Sequence, residues 1–279
     1  MLSSLCAAGL WGATDACAGL SARRSTPILA AVWLHLASLV VLGPMLLAGI
    51  GVSSLSPSDV YFGVGAGILA AVGDVFFGIA VRNSTMSVGI PLANVIAAAI
   101  PASIVALQGD HFGGLVAVGV LGAVIASGLA VAPSNGTMAW RGAGYAMLAG
   151  VCFGGMFGLL TQVAAASSLL VVFVMRVAGT VALVPAAWRE SGAWRREHFN
   201  NGLWIGVLSG VASVAANELY VAGMTIGERV THAALAVGLA APAGMIIANL
   251  IQRECLSRMQ AASAFVAVVS IGALSVAQY

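Results

Sequence analysis

Six ionisable side chains fall inside long apolar stretches of this sequence, where each needs a partner or a function. An ionisable residue at the middle of a membrane helix costs about 2.5–3.5 kcal/mol on insertion scales. Carboxylates in such a position can bind a substrate ammonium or carry a proton, and histidines can change charge near neutral pH. The candidates for a substrate- or proton-binding site are therefore Asp15, His35, Asp74, Arg176, Glu218 and His232.

Most of these candidates also have a structural interpretation. Asp15 lies in a line of small residues, so it either borders a cavity or forms a hydrogen bond between helices. Asp74 lies seven residues after Gly67, on the glycine face of its stretch, where helix packing is the alternative to function. Lone histidines in helices, such as His35 and His232, more often satisfy a local hydrogen bond than titrate.

Arg176 is the only arginine well inside an apolar stretch. An unpaired guanidinium there would be costly, so we expect an acidic partner. A substrate carboxylate fits this expectation, and so does a structural pair with Glu218 or another acid.

Neutral residues complete the set of candidates. Asn217 precedes Glu218, which suggests a polar belt on one helix. Trp11 and Tyr220 are candidates for aromatic cavity walls, with ordinary helix packing as the alternative. Pro101 and Pro242 each free a backbone carbonyl and permit a kink, so they predict either hinges or static bends.

The composition decides what kind of element must position these side chains. Of 279 residues, 61% are apolar and only 7% are charged, whereas soluble domains carry about 25% charged residues. The sequence therefore predicts an all-α integral membrane protein, since a spanning helix needs about 20 apolar residues. Ten such stretches cover residues 2–21, 27–49, 60–81, 86–107, 113–131, 142–164, 168–188, 202–224, 231–251 and 260–277.

The two halves of the sequence, residues 1–136 and 137–279, resemble one another. Shifts of 142 and 143 residues superpose several small, aromatic and polar positions, and a shift of 141 places Pro101 over Pro242. Five helices per half is an odd number, so the second copy must cross the membrane in the opposite sense. The sequence thus predicts two inverted five-helix repeats. The paired positions are Trp11 with Phe153, Gly12 with Gly154, Gly67 with Gly210, Asp74 with Asn217 and Phe77 with Tyr220.

Several of these residues resemble motifs of the EamA-type, ten-helix members of the drug/metabolite transporter superfamily, in two copies over nearly the whole chain. Leu10, Trp11 and Gly12 are similar to the Trp-Gly of the family's first helix. The resemblance implies alternating-access export of a bacterial metabolite, amino acid or drug across the inner membrane. It also implies a central cavity lined by the first, third, fourth, sixth, eighth and ninth spans. The remaining matches are Phe77 with Ala80, Tyr220 with Gly223, Pro242 followed by Glu254, Leu256, Ser257 and Gln260, and a degraded copy at Pro101, Gly109 and Asp110.

The arginines depart from this family in two ways. Nine of the eleven follow odd-numbered spans, and arginine-rich short loops stay cytoplasmic. Both termini are therefore predicted to be non-cytoplasmic, contrary to the family's usual orientation. In addition, the arginine that is frequent in the family's second helix is replaced here by His35.

Other classes of function receive less support from the sequence. A membrane enzyme would need a metal-ligand cluster or an activated nucleophile, and no HExxH or GxSxG motif is present, so we expect no cofactor or metal. A net charge of +2 gives no reason to expect nucleic acid as a partner. We expect a secondary transporter of a small polar metabolite such as an amino acid or organic cation. Exchange of this metabolite for protons is a further hypothesis. The alternative is a passive channel or a membrane scaffold or receptor, and the oligomeric state stays open.

Overall fold

The chain is all-helical in the part that the structure describes. The computed structural model describes residues 2–51, 55–107, 140–163, 168–190, 196–225 and 230–252, with scattered positions between 122 and 129 and between 258 and 269. Within these residues, five helices are long and apolar enough to cross a membrane. The structure is therefore compatible with a membrane-embedded helical protein.

Eight of the ten predicted stretches correspond to helices, and seven agree with the predicted bounds to within four residues. The exception is α7, which begins six residues before the predicted start at 202. A polar turn extends that helix beyond its apolar part, because backbone hydrogen bonding does not depend on hydropathy. The predicted stretches 113–131 and 260–277 lie almost entirely outside the described residues. The helices are α1 (Leu2–Arg24), α2 (Pro27–Leu47), α3 (Pro57–Asn83), α4 (Met86–Leu107), α5 (Trp140–Leu160), α6 (Ser168–Arg189), α7 (Arg196–Thr225) and α8 (Val230–Gln252).

Side-chain caps fix where two helices begin. Thr26 precedes α2 and its hydroxyl accepts a hydrogen bond from the Leu29 amide at 3.2 Å. Ser56 precedes α3 and forms a reciprocal capping box with Asp59. Both helices have proline at the first position, where its missing amide costs nothing.

The helices form two lobes, each built from both halves of the sequence. The first lobe contains α1, α2, α7 and α8, in which α1 packs on α7 and α8 and α2 packs on α7. The second lobe contains α3, α4, α5 and α6, in which α5 packs on α3 and α4 and α3 packs on α6. The lobes meet mainly where α4 contacts α8 and where α2 contacts α6.

Glycines allow the closest helix contacts inside each lobe. In the second lobe, a Cβ on Gly67 would clash with the Met175 carbonyl. In the first lobe, a Cβ on Gly210 would clash in the same way with the Leu34 carbonyl. Helices without side chains at the contact approach closely, which is how packing is achieved where lipid supplies no hydrophobic driving force.

One end of the bundle, where Arg23, Arg24, Arg82, Arg141 and Arg189 lie, is called the arginine-rich end below. Here the lobes are joined by hydrogen bonds to backbone carbonyls. Arg23 donates from α1 to the carbonyls of Val81 and Ser84, both at 2.8 Å. Arg82 donates from α3 to the Ser25 carbonyl at 3.3 Å. Gly78 of α3 also lies directly against Pro27 of α2. The two lobes are therefore closed onto one another at this end.

Candidate functional site

A polar cavity lies between the two lobes, near the middle of the helices. Its volume is about 40 Å³, which holds water molecules but is far below the roughly 300–1,000 Å³ of typical ligand pockets. The cavity in this conformation therefore has no room for a ligand of metabolite size. The wall includes Trp11, Thr14, Asp15, Ala70, Asp74, Asn94, Phe153, Met156, Phe157, Arg176, Ser213 and Asn217.

Asp74 connects the cavity to a buried histidine of the other lobe. Nε2 of His35 lies 3.0 Å from the Asp74 carboxylate, and His35 is fully buried. The imidazole also lies against Gly179 of α6, where any Cβ would clash with the ring. This packing fixes the orientation of the ring, so His35 presents one nitrogen to Asp74.

The guanidinium of Arg176 donates a hydrogen bond to a neutral hydroxyl. Its Nη2 donates to the Ser213 hydroxyl at 2.5 Å, and the side chain of Asn217 donates to the same hydroxyl at 3.3 Å. Asp74 is close enough to act on Arg176 electrostatically. Among the residues that the structure describes, however, no carboxylate lies within ion-pair distance of the guanidinium. The expected pair with Glu218 or another acid is not seen among the described residues, where the hydroxyl of Ser213 accepts from the guanidinium instead, and it stays a prediction.

One member of each interaction lies at a paired position of the sequence, but the partners do not. An offset of 141 residues places His35 over Arg176, whereas an offset of 143 places Asp74 over Asn217 and Ala70 over Ser213, the residue that Arg176 contacts. His35 lies eight residues, about 12 Å, after the start of α2 at the arginine-rich end. Arg176 lies equally far after the start of α6, which is at the opposite end. The acidic and the cationic interactions therefore lie on opposite sides of the middle of the bundle.

Asp15 forms a third contact between the lobes. The side chain of Asn94 in α4 donates to the Asp15 carboxylate in α1 at 2.5 Å. Asp15 is also electrostatically coupled to Asp74. The contacts of Asp15 with Asn94, of His35 with Asp74 and of Arg176 with Ser213 thus each join the first lobe to the second.

Aromatic rings close one side of the cavity. The ring centroid of Trp11 lies 4.8 Å from that of Phe157 and 5.2 Å from that of Tyr220. Phe157 and Tyr220 are 5.3 Å apart, so the three rings contact one another. Phe77 and Phe153, which correspond to Tyr220 and Trp11 under the sequence offsets, form a similar pair at 6.3 Å.

The predicted site residues divide into three groups. Trp11, Asp15, Asp74, Arg176 and Asn217 line the same cavity, while His35 and Tyr220 contact its lining residues. Glu218 is partly buried in α7 beside Asn217, and Pro242 is buried within α8. His232 and Pro101 lie in α8 and α4, but their side chains are outside the described part.

Several lining residues of the cavity were not predicted from the sequence, among them Asn94, Ser213 and Phe157. Asn94 and Ser213 are short neutral residues, and many such residues occur in membrane helices without any site. Phe157 corresponds to Asp15 under the 142-residue offset, so the repeat is the one signal that could have identified it. In the described part of the chain, no three His, Cys, Asp or Glu side chains are placed to hold a metal ion.

Comparison with known proteins identifies similarity at the level of the fold. No family model and no curated protein matches this sequence. Among 23 matching chains of solved structures, one crystal structure superposes with a TM-score of 0.68 over 99% of this chain and 96% of its own. The two sequences are 16% identical, so the similarity concerns the fold alone.

The contact between Asp15 and Asn94 predicts a specific pattern of stability. We expect Asn94→Leu to destabilise the protein by about 1–3 kcal/mol, because a buried carboxylate loses its donor. The double variant Asp15→Leu with Asn94→Leu should lose less stability than the two single variants lose in sum, since neither polar group remains. Thermal unfolding in detergent measures all three, and additive losses would contradict the contact.

Proposed function

We propose that this protein is a secondary transporter, an exporter of a small polar metabolite such as an amino acid or organic cation, working by alternating access. The observation that supports this most strongly is the charged cavity between the two lobes. Charged groups inside a membrane bundle mark substrate or ion pathways. Three polar contacts at this cavity join opposite lobes, so a ligand that replaces them changes how the lobes are held together.

Two inverted five-helix repeats, ten helices in all, belong to this proposal. The helix contacts support it, because exchanging α1 with α5, α2 with α6, α3 with α7 and α4 with α8 maps the main contacts onto one another. Gly67 on Met175 and Gly210 on Leu34 are equivalent contacts under the sequence offsets. A repeat of this kind gives two conformations of similar energy from one packing scheme. Membership of the EamA-type transporter family is proposed on the same grounds, together with the Trp11–Gly12 motif.

The charges of the cavity support a ligand that carries an amine. Asp15 and Asp74 provide two acidic groups on the side nearer the arginine-rich end. Arg176, on the opposite side, is suited to a carboxylate, so a zwitterion can contact both. Proton exchange through Asp15, Asp74 or His35 is part of the proposal, since these groups lie at the interface between the lobes.

The transport proposal is tested with purified protein. We expect a thermal-shift screen to identify stabilising compounds among amines and amino acids, and radiolabelled hits to enter proteoliposomes faster when a pH gradient is present. Asp74→Asn and Arg176→Gln should each lower the initial rate roughly tenfold or more, because a charge-assisted hydrogen bond contributes about 1.5–3 kcal/mol.

Arg24→Gln is the matched control for these variants, because Arg24 is exposed at the end of α1 and should transport normally. Stabilisation by organic acids alone would exclude the amine. Equal flux with and without the gradient would exclude proton exchange. Flux that persists unchanged in Asp74→Asn and Arg176→Gln would leave a passive channel as the better description.

The orientation in the bacterial inner membrane is proposed from the arginines. Arg23, Arg82 and Arg189 belong to the arginine-rich end, which we place in the cytoplasm. Both termini then face the opposite side. A carboxy-terminal fusion to a reporter that is active only in the periplasm should be active, and activity of a cytoplasm-only reporter at the same position would reverse the orientation.

A further inference from the structure

We propose that His35 and Ser213 are positioning residues that hold Asp74 and Arg176 apart, so that both charges stay available to a ligand. The inference deepens the proposed transport function and rests on it. It assigns roles to His35, which lies behind the cavity, and to Ser213, which is part of its wall.

The two charges are carried by one lobe and restrained by the other. Asp74 lies on α3 and Arg176 on α6, two helices that pack together in the second lobe. Both side chains line the cavity and interact electrostatically. Each nevertheless bonds across the lobe interface, Asp74 to His35 on α2 and Arg176 to Ser213 on α7.

Without these restraints, an ion pair between the two charges is the expected arrangement. Opposite charges attract more strongly in an apolar bundle than in water, and both side chains lie on neighbouring helices. What opposes the pair is a charge-assisted hydrogen bond at each end. His35 is fixed by its packing on Gly179, and the hydroxyl of Ser213 also accepts from Asn217.

Two buried polar atoms at and beside Arg176 remain available to a ligand in this arrangement. Nε of Arg176 and Oδ1 of Asn217 are buried and have no hydrogen-bond partner within the described residues. Buried polar groups are rarely left without a partner, so these two atoms suit a ligand that brings an acceptor and a donor. Nε of Arg176 remains available to a ligand only while Arg176 does not turn toward Asp74.

The positions of the restraints connect lobe movement to the state of the two charges. His35 and Ser213 both belong to the first lobe and lie on opposite sides of the middle of the bundle, so movement of the lobes changes how Asp74 and Arg176 are held apart.

A double-mutant cycle on the two charges tests this inference without any ligand. The melting temperature is measured for Asp74→Asn, Arg176→Gln and their combination, first in the otherwise native protein and then with His35→Ala and Ser213→Ala. We expect the coupling between the charges to rise by about 2–4 °C or more in the second background, because the ion pair forms there. Equal coupling in the two backgrounds would overturn the proposal.

Three controls separate positioning from a general loss of packing. His35→Gln with Ser213→Thr retains a donor and a hydroxyl, so the weak coupling should be restored. Ser38→Ala removes another buried hydroxyl of α2, one that bonds within its own lobe to Gly210, and should leave the coupling unchanged. If the double alanine background does not fold, each single alanine variant should raise the coupling by itself. A rise in the coupling between the two charges in the Ser38→Ala background would contradict a positioning role, even if transport is normal. An absence of transport would not affect the cycle, so failure of the transport proposal is distinguishable from failure of this inference.

Discussion

Opposite charges inside an apolar helical bundle impose the constraint on which the rest of this structure depends. Asp74 and Arg176 cannot remain without partners in a low-dielectric interior, yet they do not pair with one another. Each is satisfied by a side chain of the other lobe, His35 or Ser213. The polar interior therefore acts as the link between two lobes whose outer surfaces suit lipid. Polar groups that join moving parts are also the groups that a ligand can compete for, and this connects the packing of the protein to its proposed transport function.

Small residues make this arrangement possible. The contacts of Gly67 and Gly210 bring neighbouring backbones together inside each lobe, so each lobe is tightly packed. The interface between the lobes contains the cavity, with a volume of about 40 Å³, and its hydrogen bonds. At the arginine-rich end, Arg23 and Arg82 donate hydrogen bonds to carbonyls of the opposite lobe. The interface also contains close apolar contacts, such as Gly244 on Ile90, so movement of the lobes must shift this packing as well as exchange the hydrogen bonds.

The helix positions could be predicted from hydropathy, because apolar length alone identifies a span. Gly67 and Gly210, which the sequence offset pairs, each make a close helix contact. The partners of the charges could not be predicted in this way. An arginine in a span suggests an acidic partner, but Ser213 fulfils that role with one neutral hydroxyl. His35 and Arg176 lie at positions that the 141-residue offset pairs, but they differ in chemistry, so a comparison of the halves did not bring them together. Asn94 gave no signal in the sequence because its importance comes only from the position of Asp15.

Movement of the two lobes is the central claim, and distances between spin labels at both ends of the bundle test it most directly. Arg24 and Asn83 are exposed on opposite lobes at the arginine-rich end, and Leu47 and Gln162 are exposed on opposite lobes at the other end. Cysteine pairs at these positions, in a background without the native cysteines, should each give two distance populations. The account predicts that a transported ligand shifts the two pairs in opposite directions. Single unchanged distances at both ends, or changes of the same sign, would contradict it.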